Sequence, residues 1–170
     1  MTQKCMILIV TFLAAAATLA TGGPKISIQR TTRIKSEIQF VVVIENLGLS
    51  SVFLEETREG SRDPYAINIE QLQSDSSWVS ISPRRDVRAT SVFELKPGTK
   101  VEKAITVTDP YVDLRLAPHK KYSIRGRHRT TIRYFLSPRD WSDFIRSLRH
   151  KPRMAYSEVI SISDNAGSDH

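Results

Sequence analysis

The sequence predicts an antiparallel β-sandwich, and three patterns lead to that prediction. Short segments rich in β-branched and aromatic residues recur along the chain, with Gly, Pro, Asn and Asp between them. Several of these segments alternate apolar and polar residues with the period of two that a half-buried strand requires. A helical period appears in one segment, 137–152. Together these patterns predict an all-β, immunoglobulin-like sandwich of about seven to nine strands, with one short amphipathic helix inserted before the last strand.

The candidate strands are separated by recognisable turns. "EIQFVVVIE" has apolar residues on both faces, so we expect it at the centre of a sheet. Asn46 and Gly48 in "NLGLS" turn the chain after it, and "KPG" at 96–98 marks another turn. The candidate strands are, in chain order, "KISIQ", "EIQFVVVIE", "SVFLEE", "AINIEQLQ", "SWVSI", "SVFEL", "KVEKAITVT", "KKYSIRGRHRTTIRY" and "AYSEVISI".

The helix is predicted over about residues 138–149. Ser137 is a good N-cap, Pro138 suits the first turn, and Asp140 completes a pair that resembles a capping box. Pro152 prevents continuation of the helix. We expect one buried apolar stripe at the i, i+3, i+4, i+7 positions, formed by Trp141, Phe144, Ile145 and Leu148.

Residues 1–20 have the organisation of a secretory signal peptide. A short basic start precedes a long apolar run that ends in small residues, and this run is shorter than the roughly twenty residues that span a bilayer. An uncleaved membrane anchor is the alternative. We therefore predict a secreted, extracellular protein with one sandwich domain over 21–162 and a polar, flexible tail over 163–170. Its only cysteine, Cys5, would leave with the signal, so the domain must be stable without a disulfide.

Basic residues are concentrated in one region of the chain. From Pro118 to Arg153 the formal charge is +9, whereas the rest of the chain after residue 20 carries −3. In the strand-like stretch 120–134 the cations alternate with apolar residues, which predicts one basic face, and Gly126 is expected to bend or bulge that strand. A solvated strand face, or a charged sheet edge that opposes aggregation, has the same pattern. The candidate residues for polyanion or partner binding are Lys120, Lys121, Arg125, Arg127, Arg129, Arg133, Arg139, Arg146 and Arg149.

Motifs for catalysis and cofactor binding are missing from the sequence. There is no G-x-S-x-G elbow, no P-loop and no G-x-G-x-x-G, and the histidines do not form an H-E-x-x-H pair. After loss of Cys5 no thiol remains for a nucleophile or a thiolate metal site. We therefore predict no enzymatic activity, no cofactor and no metal site.

Several sequence marks follow one another in a characteristic order: Asn46 with Gly48, Leu95 with Pro97 and Gly98, the strand 101–107, Tyr111 with Asp113 and Leu114, and Tyr122. This order resembles the β-sandwich propeptide that precedes the catalytic domain of deuterolysin-type fungal metalloendopeptidases. The resemblance covers residues from about 25 to 130, and the family's zinc-binding catalytic half has no counterpart in this sequence. It implies a sandwich fold and the role of a folding partner or inhibitor that covers another protein's surface; it does not imply protease activity.

These observations lead to three hypotheses for the function. The first is a secreted, non-catalytic module that docks on another protein, as an inhibitor, a propeptide-like partner or a secreted effector. The alternative is a binder of a polyanion, such as a sulfated glycan, nucleic acid or anionic lipid, through the basic strand and helix of 118–153. An enzyme of unfamiliar type is the third class, although no motif supports it.

Overall fold

Two antiparallel sheets pack face to face in the computed structural model, which describes residues 23–34, 36–82, 88–112, 121–147 and 150–163. This arrangement confirms the predicted all-β sandwich with a short helix. The strands are β1 (Lys25–Ile34), β2 (Glu37–Glu45), β3 (Val52–Glu56), β4 (Ile67–Leu72), β5 (Trp78–Ser80), β6 (Ser91–Leu95), β7 (Lys100–Thr108), β8 (Tyr111–Val112), β9 (Lys121–Tyr122), β10 (Gly126–Phe135), β11 (Arg153–Tyr156) and β12 (Ile160–Ile162), and the helix is α1 (Pro138–Ser147).

The smaller sheet has the order β1-β2-β7, with β2 in the centre as its apolar sequence predicts. The even-numbered residues of β2 point into the sandwich, because strand residues alternate between the two faces of a sheet. These residues, Ile38, Phe40, Val42 and Ile44, are all buried. The β1–β2 register shifts between Ile28 and Arg30, which makes a bulge in the outer strand.

The larger sheet has the order β5-β4-β10-β3-β6, and β11 and β12 also pair with β10. Strand β10 is therefore central: at one point along it, His128 lies between Gln71 of β4 and Ile160 of β12. Its even-numbered residues face the smaller sheet and are buried, namely His128, Thr130, Ile132 and Tyr134. This confirms the predicted alternation of the strand, but the strand lies inside the sheet and is not a charged edge.

The start of β10 agrees with the expected bend. Gly126 has φ of +124°, a backbone conformation that residues with a Cβ rarely adopt. The backbone at Lys121 and Tyr122 instead forms β9, which pairs with β8. The stretch 120–134 therefore contains two strands separated by a short bent connection, and not one continuous strand.

The predicted C-terminal strand "AYSEVISI" is also divided, and here the sequence-based interpretation was wrong. The N–H of Ser157 donates to the carbonyl of Thr130 at 2.9 Å, and the Ser157 hydroxyl accepts from the N–H of Thr130 at 2.8 Å. Because a side chain replaces a backbone acceptor at this point, the regular ladder is interrupted. Strand β11 therefore ends at Tyr156, and β12 resumes pairing with β10 at Ile160.

Asn46 fixes the turn after β2, as its position in "NLGLS" predicts. Its buried side-chain amide donates to the carbonyls of Ser50 at 2.9 Å and Leu95 at 2.8 Å. Its side-chain oxygen accepts from the N–H of Gly48 at 3.0 Å. The Asn-x-Gly pattern therefore has a structural role, joining the β2–β3 turn to the end of β6.

Candidate functional site

The candidate cations occupy three different environments in the structure. Lys120 and Arg149 lie outside the described residues, and Lys121 is described only as backbone in β9. The others lie just before β10, within β10 and on α1, and they are Arg125, Arg127, Arg129, Arg133, Arg139 and Arg146.

Arg129 lies on the outer face of the larger sheet and is held by three neighbours. Its Nε donates to a carboxylate oxygen of Glu70 at 2.7 Å, and these two residues are directly opposite each other in the β4–β10 ladder. Its guanidinium carbon lies 4.2 Å from the ring centroid of Trp78 and 4.8 Å from that of Tyr156. Arg129 is thus stacked between two aromatic rings, with 26% of its side chain exposed.

Arg133, four residues further along the same face, pairs with a different acid. Both its Nε and one terminal nitrogen lie 2.6 Å from a carboxylate oxygen of Glu55, whose side chain is fully buried. The other carboxylate oxygen of Glu55 accepts the indole N–H of Trp141 at 3.2 Å. The guanidinium of Arg133 also lies 5.1 Å from the ring of Phe144. Glu55 therefore joins β3, β10 and the helix at one buried point.

Helix α1 packs on this outer face, but less deeply than the sequence predicts. Ser137 caps it as expected, because its hydroxyl accepts the N–H of Asp140 at 3.1 Å. Phe144 packs against Phe135 with ring centroids 5.6 Å apart. The prediction of a buried stripe was wrong for Ile145, which is 52% exposed, and no residue of α1 is fully buried. The helix is held by Trp141 and Phe144, and Leu148 lies outside the described residues.

Because Arg129 is paired with Glu70 and Arg133 with Glu55, the region has less free positive charge than its sequence suggests. Arg125, Arg127 and Arg146 are exposed, and Arg139 is 90% exposed with its Nε 3.9 Å from a carboxylate oxygen of Asp143. Two of the three arginines of β10 thus have acidic partners within the sheet. Binding of a polyanion by the remaining cations stays a prediction.

The outer face that carries Arg129 also holds two exposed residues that the sequence patterns did not indicate. Met154 lies opposite Arg133 in the β10–β11 ladder, and Tyr156 lies opposite Thr131, so both share the outer face of β10. Tyr156 is 54% exposed and Met154 43% exposed. We call Trp78, Arg129, Met154 and Tyr156 the aromatic face. The alternation in "RMAY" indicates that Met154 and Tyr156 share a face, but it does not indicate which face.

His128 is the remaining titratable group with an unusual environment. Its imidazole is fully buried and lies 5.8 Å, centroid to centroid, from the ring of Phe40 in the smaller sheet. Within the described residues, neither ring nitrogen has a hydrogen-bond partner. Burial lowers the pKa of His128 from its ordinary value of 6.5 to about 4. The side chain is therefore neutral at pH 7 and packs as part of the core.

The described residues contain no group of three or more His, Cys, Asp or Glu side chains that could hold a metal ion. In the same part of the chain, no helix has the length and apolar character needed to cross a bilayer. The acids near the aromatic face, Glu55 and Glu70, already accept hydrogen bonds from arginines.

Comparisons with known proteins add no family to this description. No model of a protein family matches the chain, and no curated protein sequence is significantly similar to it. The resemblance to deuterolysin propeptides therefore stays a prediction based on the residues quoted above.

Proposed function

We propose that the chain is a secreted, non-catalytic binding module that docks on another protein through the aromatic face of the larger sheet. The observation that carries the proposal is the exposure of Tyr156 beside the guanidinium of Arg129, with exposed Met154 on the same face of the sheet. Tyr, Trp, Arg and Met are enriched at the centres of protein interfaces, where a few buried side chains supply most of the affinity.

The scaffold behind the aromatic face supports this role. Trp78 lies on β5, which pairs with β4, and both β4 and β11 pair with β10, the central strand that carries Arg129. Arg129 is fixed by Glu70 and two rings, so less side-chain entropy is lost when a partner covers it. A rigid sheet that presents aromatic and guanidinium groups fits docking with little rearrangement.

The resemblance to deuterolysin propeptides suggests a finer version of the proposal. A propeptide-like or inhibitory domain covers a surface of another protein without performing chemistry, and a secreted effector that blocks a host protein is a second version. Both need an exposed docking face and the export predicted from residues 1–20. The sandwich alone supports neither version, because one fold serves many functions.

Capture of the partner from the secreted material of the producing cells tests the proposal. The immobilised parent, Tyr156→Asp and Leu49→Asp are compared, because Leu49 is 73% exposed in the turn after β2 and provides a matched control. We expect one protein to be retained equally by the parent and Leu49→Asp, and at least about tenfold less by Tyr156→Asp, because a buried charge at an interface centre is costly. Equal retention by Tyr156→Asp and the parent would contradict the proposal.

A further inference from the structure

We propose that Arg129 binds a carboxylate of the docking partner, so that the partner contributes an acidic residue next to an apolar one. This inference rests on the proposed function and identifies the chemistry of the segment that the aromatic face receives. The site consists of the guanidinium of Arg129, its two aromatic walls Trp78 and Tyr156, and its acidic support Glu70.

The hydrogen-bonding capacity of Arg129 exceeds what its neighbour uses. Glu70 accepts the Nε–H of Arg129 at 2.7 Å. A guanidinium has five N–H donors in a planar fork, and one carboxylate takes two of them at most in a bidentate pair. At least three donors therefore remain, and the 26% exposure of the side chain places part of the group at the surface.

The surroundings of Arg129 prepare it for a planar anion. The guanidinium carbon of Arg129 lies 4.2 Å from the ring centroid of Trp78 and 4.8 Å from that of Tyr156, so two rings shield the group and its N–H edge is the natural approach for an anion. Carboxylates bind arginine along that edge, in the plane of the group. Because Glu70 and the rings already fix the side chain, little of its rotamer entropy remains to be lost on binding.

Charge and shape around Arg129 favour an acidic, partly apolar segment. Arg127 is exposed on the same face two residues earlier, and within the described residues no acid forms an ion pair with it. Two arginines against Glu70 leave a net charge of about +1 at the site, whereas Tyr156 beside it, and Met154 further along the same face, offer apolar contact. A linear polyanion needs a longer row of free cations, and the next arginine of β10, Arg133, is already paired with Glu55.

Selection of random linear peptides displayed on phage, with the full secreted chain as target and Arg129→Gln for counter-selection, tests the inference. We expect the selected peptides to share an Asp or Glu beside a Leu, Phe or Tyr. A synthetic peptide of the selected sequence should bind Arg129→Gln at least about tenfold more weakly than the parent, and replacement of its acid by the amide should cause a similar loss. In a double-mutant cycle the two losses should not add.

Three control variants and one competing ligand separate loss of the carboxylate contact from unfolding and from polyanion binding. The double variant Arg129→Gln with Glu70→Gln removes both partners of the pair. If it keeps the melting temperature of the parent and still binds the peptide weakly, the weak binding is not caused by unfolding. Arg129→Lys should recover only part of the affinity, and Arg58→Gln, a change at an exposed residue in the turn after β3, should bind as the parent does. Dextran sulfate as the competing ligand tests the polyanion alternative.

Several results would overturn the inference. They are selected peptides without acids, a peptide amide that binds as well as the acid, and an Arg129→Gln variant that binds dextran sulfate more weakly than the parent but binds the peptide equally well. If Tyr156→Asp abolishes capture of the partner protein and Arg129→Gln does not, docking stands and the carboxylate contact fails. If neither change affects capture, the proposed function fails as well.

Discussion

The buried carboxylate of Glu55 accepts a hydrogen bond of 2.6 Å from Nε of Arg133, a residue 78 positions later in the chain. The same carboxylate accepts the indole N–H of Trp141, so a single side chain connects β3, β10 and α1. Glu55, which lies 86 residues before Trp141, therefore helps to hold the helix on the sheet.

Glu55→Gln should lower the free energy of unfolding by about 2 kcal/mol. The amide keeps the shape of the side chain but removes the charge that Arg133 faces, and loss of one partner of a buried pair is costly. We discount the full effect because 31% of the Arg133 side chain is exposed. Urea denaturation of the two proteins measures the difference. In the control Asp143→Asn, which alters an exposed pair, the change should stay below about 0.5 kcal/mol; an equal effect in both variants would contradict the role of Glu55.

His128 should make the protein less stable in acid. Its pKa in the folded protein is lowered to about 4, from the ordinary 6.5 that applies to the unfolded chain. Between these values the unfolded chain binds the proton more readily, so stability decreases as pH falls from about 6.5 to 4, by about 3 kcal/mol in total. The measurement is the free energy of unfolding against pH for the parent and His128→Leu. Above pH 7 the difference in unfolding free energy between the two proteins should be constant, and below about pH 6.5 it should change as the parent loses stability. Parallel curves down to pH 4 would refute the prediction.

Removal of the helix cap should have a moderate effect. In Ser137→Ala the N–H of Asp140 loses the hydroxyl acceptor that lies 3.1 Å away in the parent, and a lost N-cap costs about 1 kcal/mol. Thermal unfolding reports global stability, and tryptophan fluorescence in a Trp78→Phe background, where Trp141 is the remaining tryptophan, reports docking of α1. Ser142→Ala is the matched control, since the Ser142 hydroxyl donates only to the carbonyl of Pro138 within the same helix. A control as unstable as the cap variant would count against the capping role.

On heparin, the protein should elute close to physiological salt. Two of the arginines of β10 are engaged by Glu70 and Glu55, so in the described part of this strand the row of cations available for counterion release is short. The triple change of Arg125, Arg127 and Arg129 to Gln should shift the eluting salt concentration only slightly. Elution of the parent well above physiological salt, with retention abolished in the triple variant, would instead support the polyanion alternative.

Local patterns in the sequence predict much of the fold. The period of two in β2 and β10 indicates which residues point into the core, and Ser137 with Pro138 locates the start of the helix. Gly126 indicates the bend before β10. These features depend on the conformational preferences of neighbouring residues, which a single sequence contains.

The candidate site depends on contacts between distant residues, and the sequence does not contain that information. The partners of Arg129 and Arg133 lie 59 and 78 residues earlier in the chain, so an alternating row of cations looks the same whether it is paired or free. The exposure of Ile145 has a related cause. An apolar stripe predicts that a helix packs, but the depth of packing depends on the surface that receives it.

Photo-crosslinking from position 156 is the direct test of docking through the aromatic face. The chain carries p-benzoylphenylalanine in place of Tyr156, or in place of Leu49 as the control, and is irradiated in the secreted material of its producing cells. We expect one adduct of defined mass from position 156 and none from position 49, with acidic residues in the crosslinked peptide of the partner. Equal adduct formation from both positions, or adducts from position 49 alone, would contradict docking through the aromatic face.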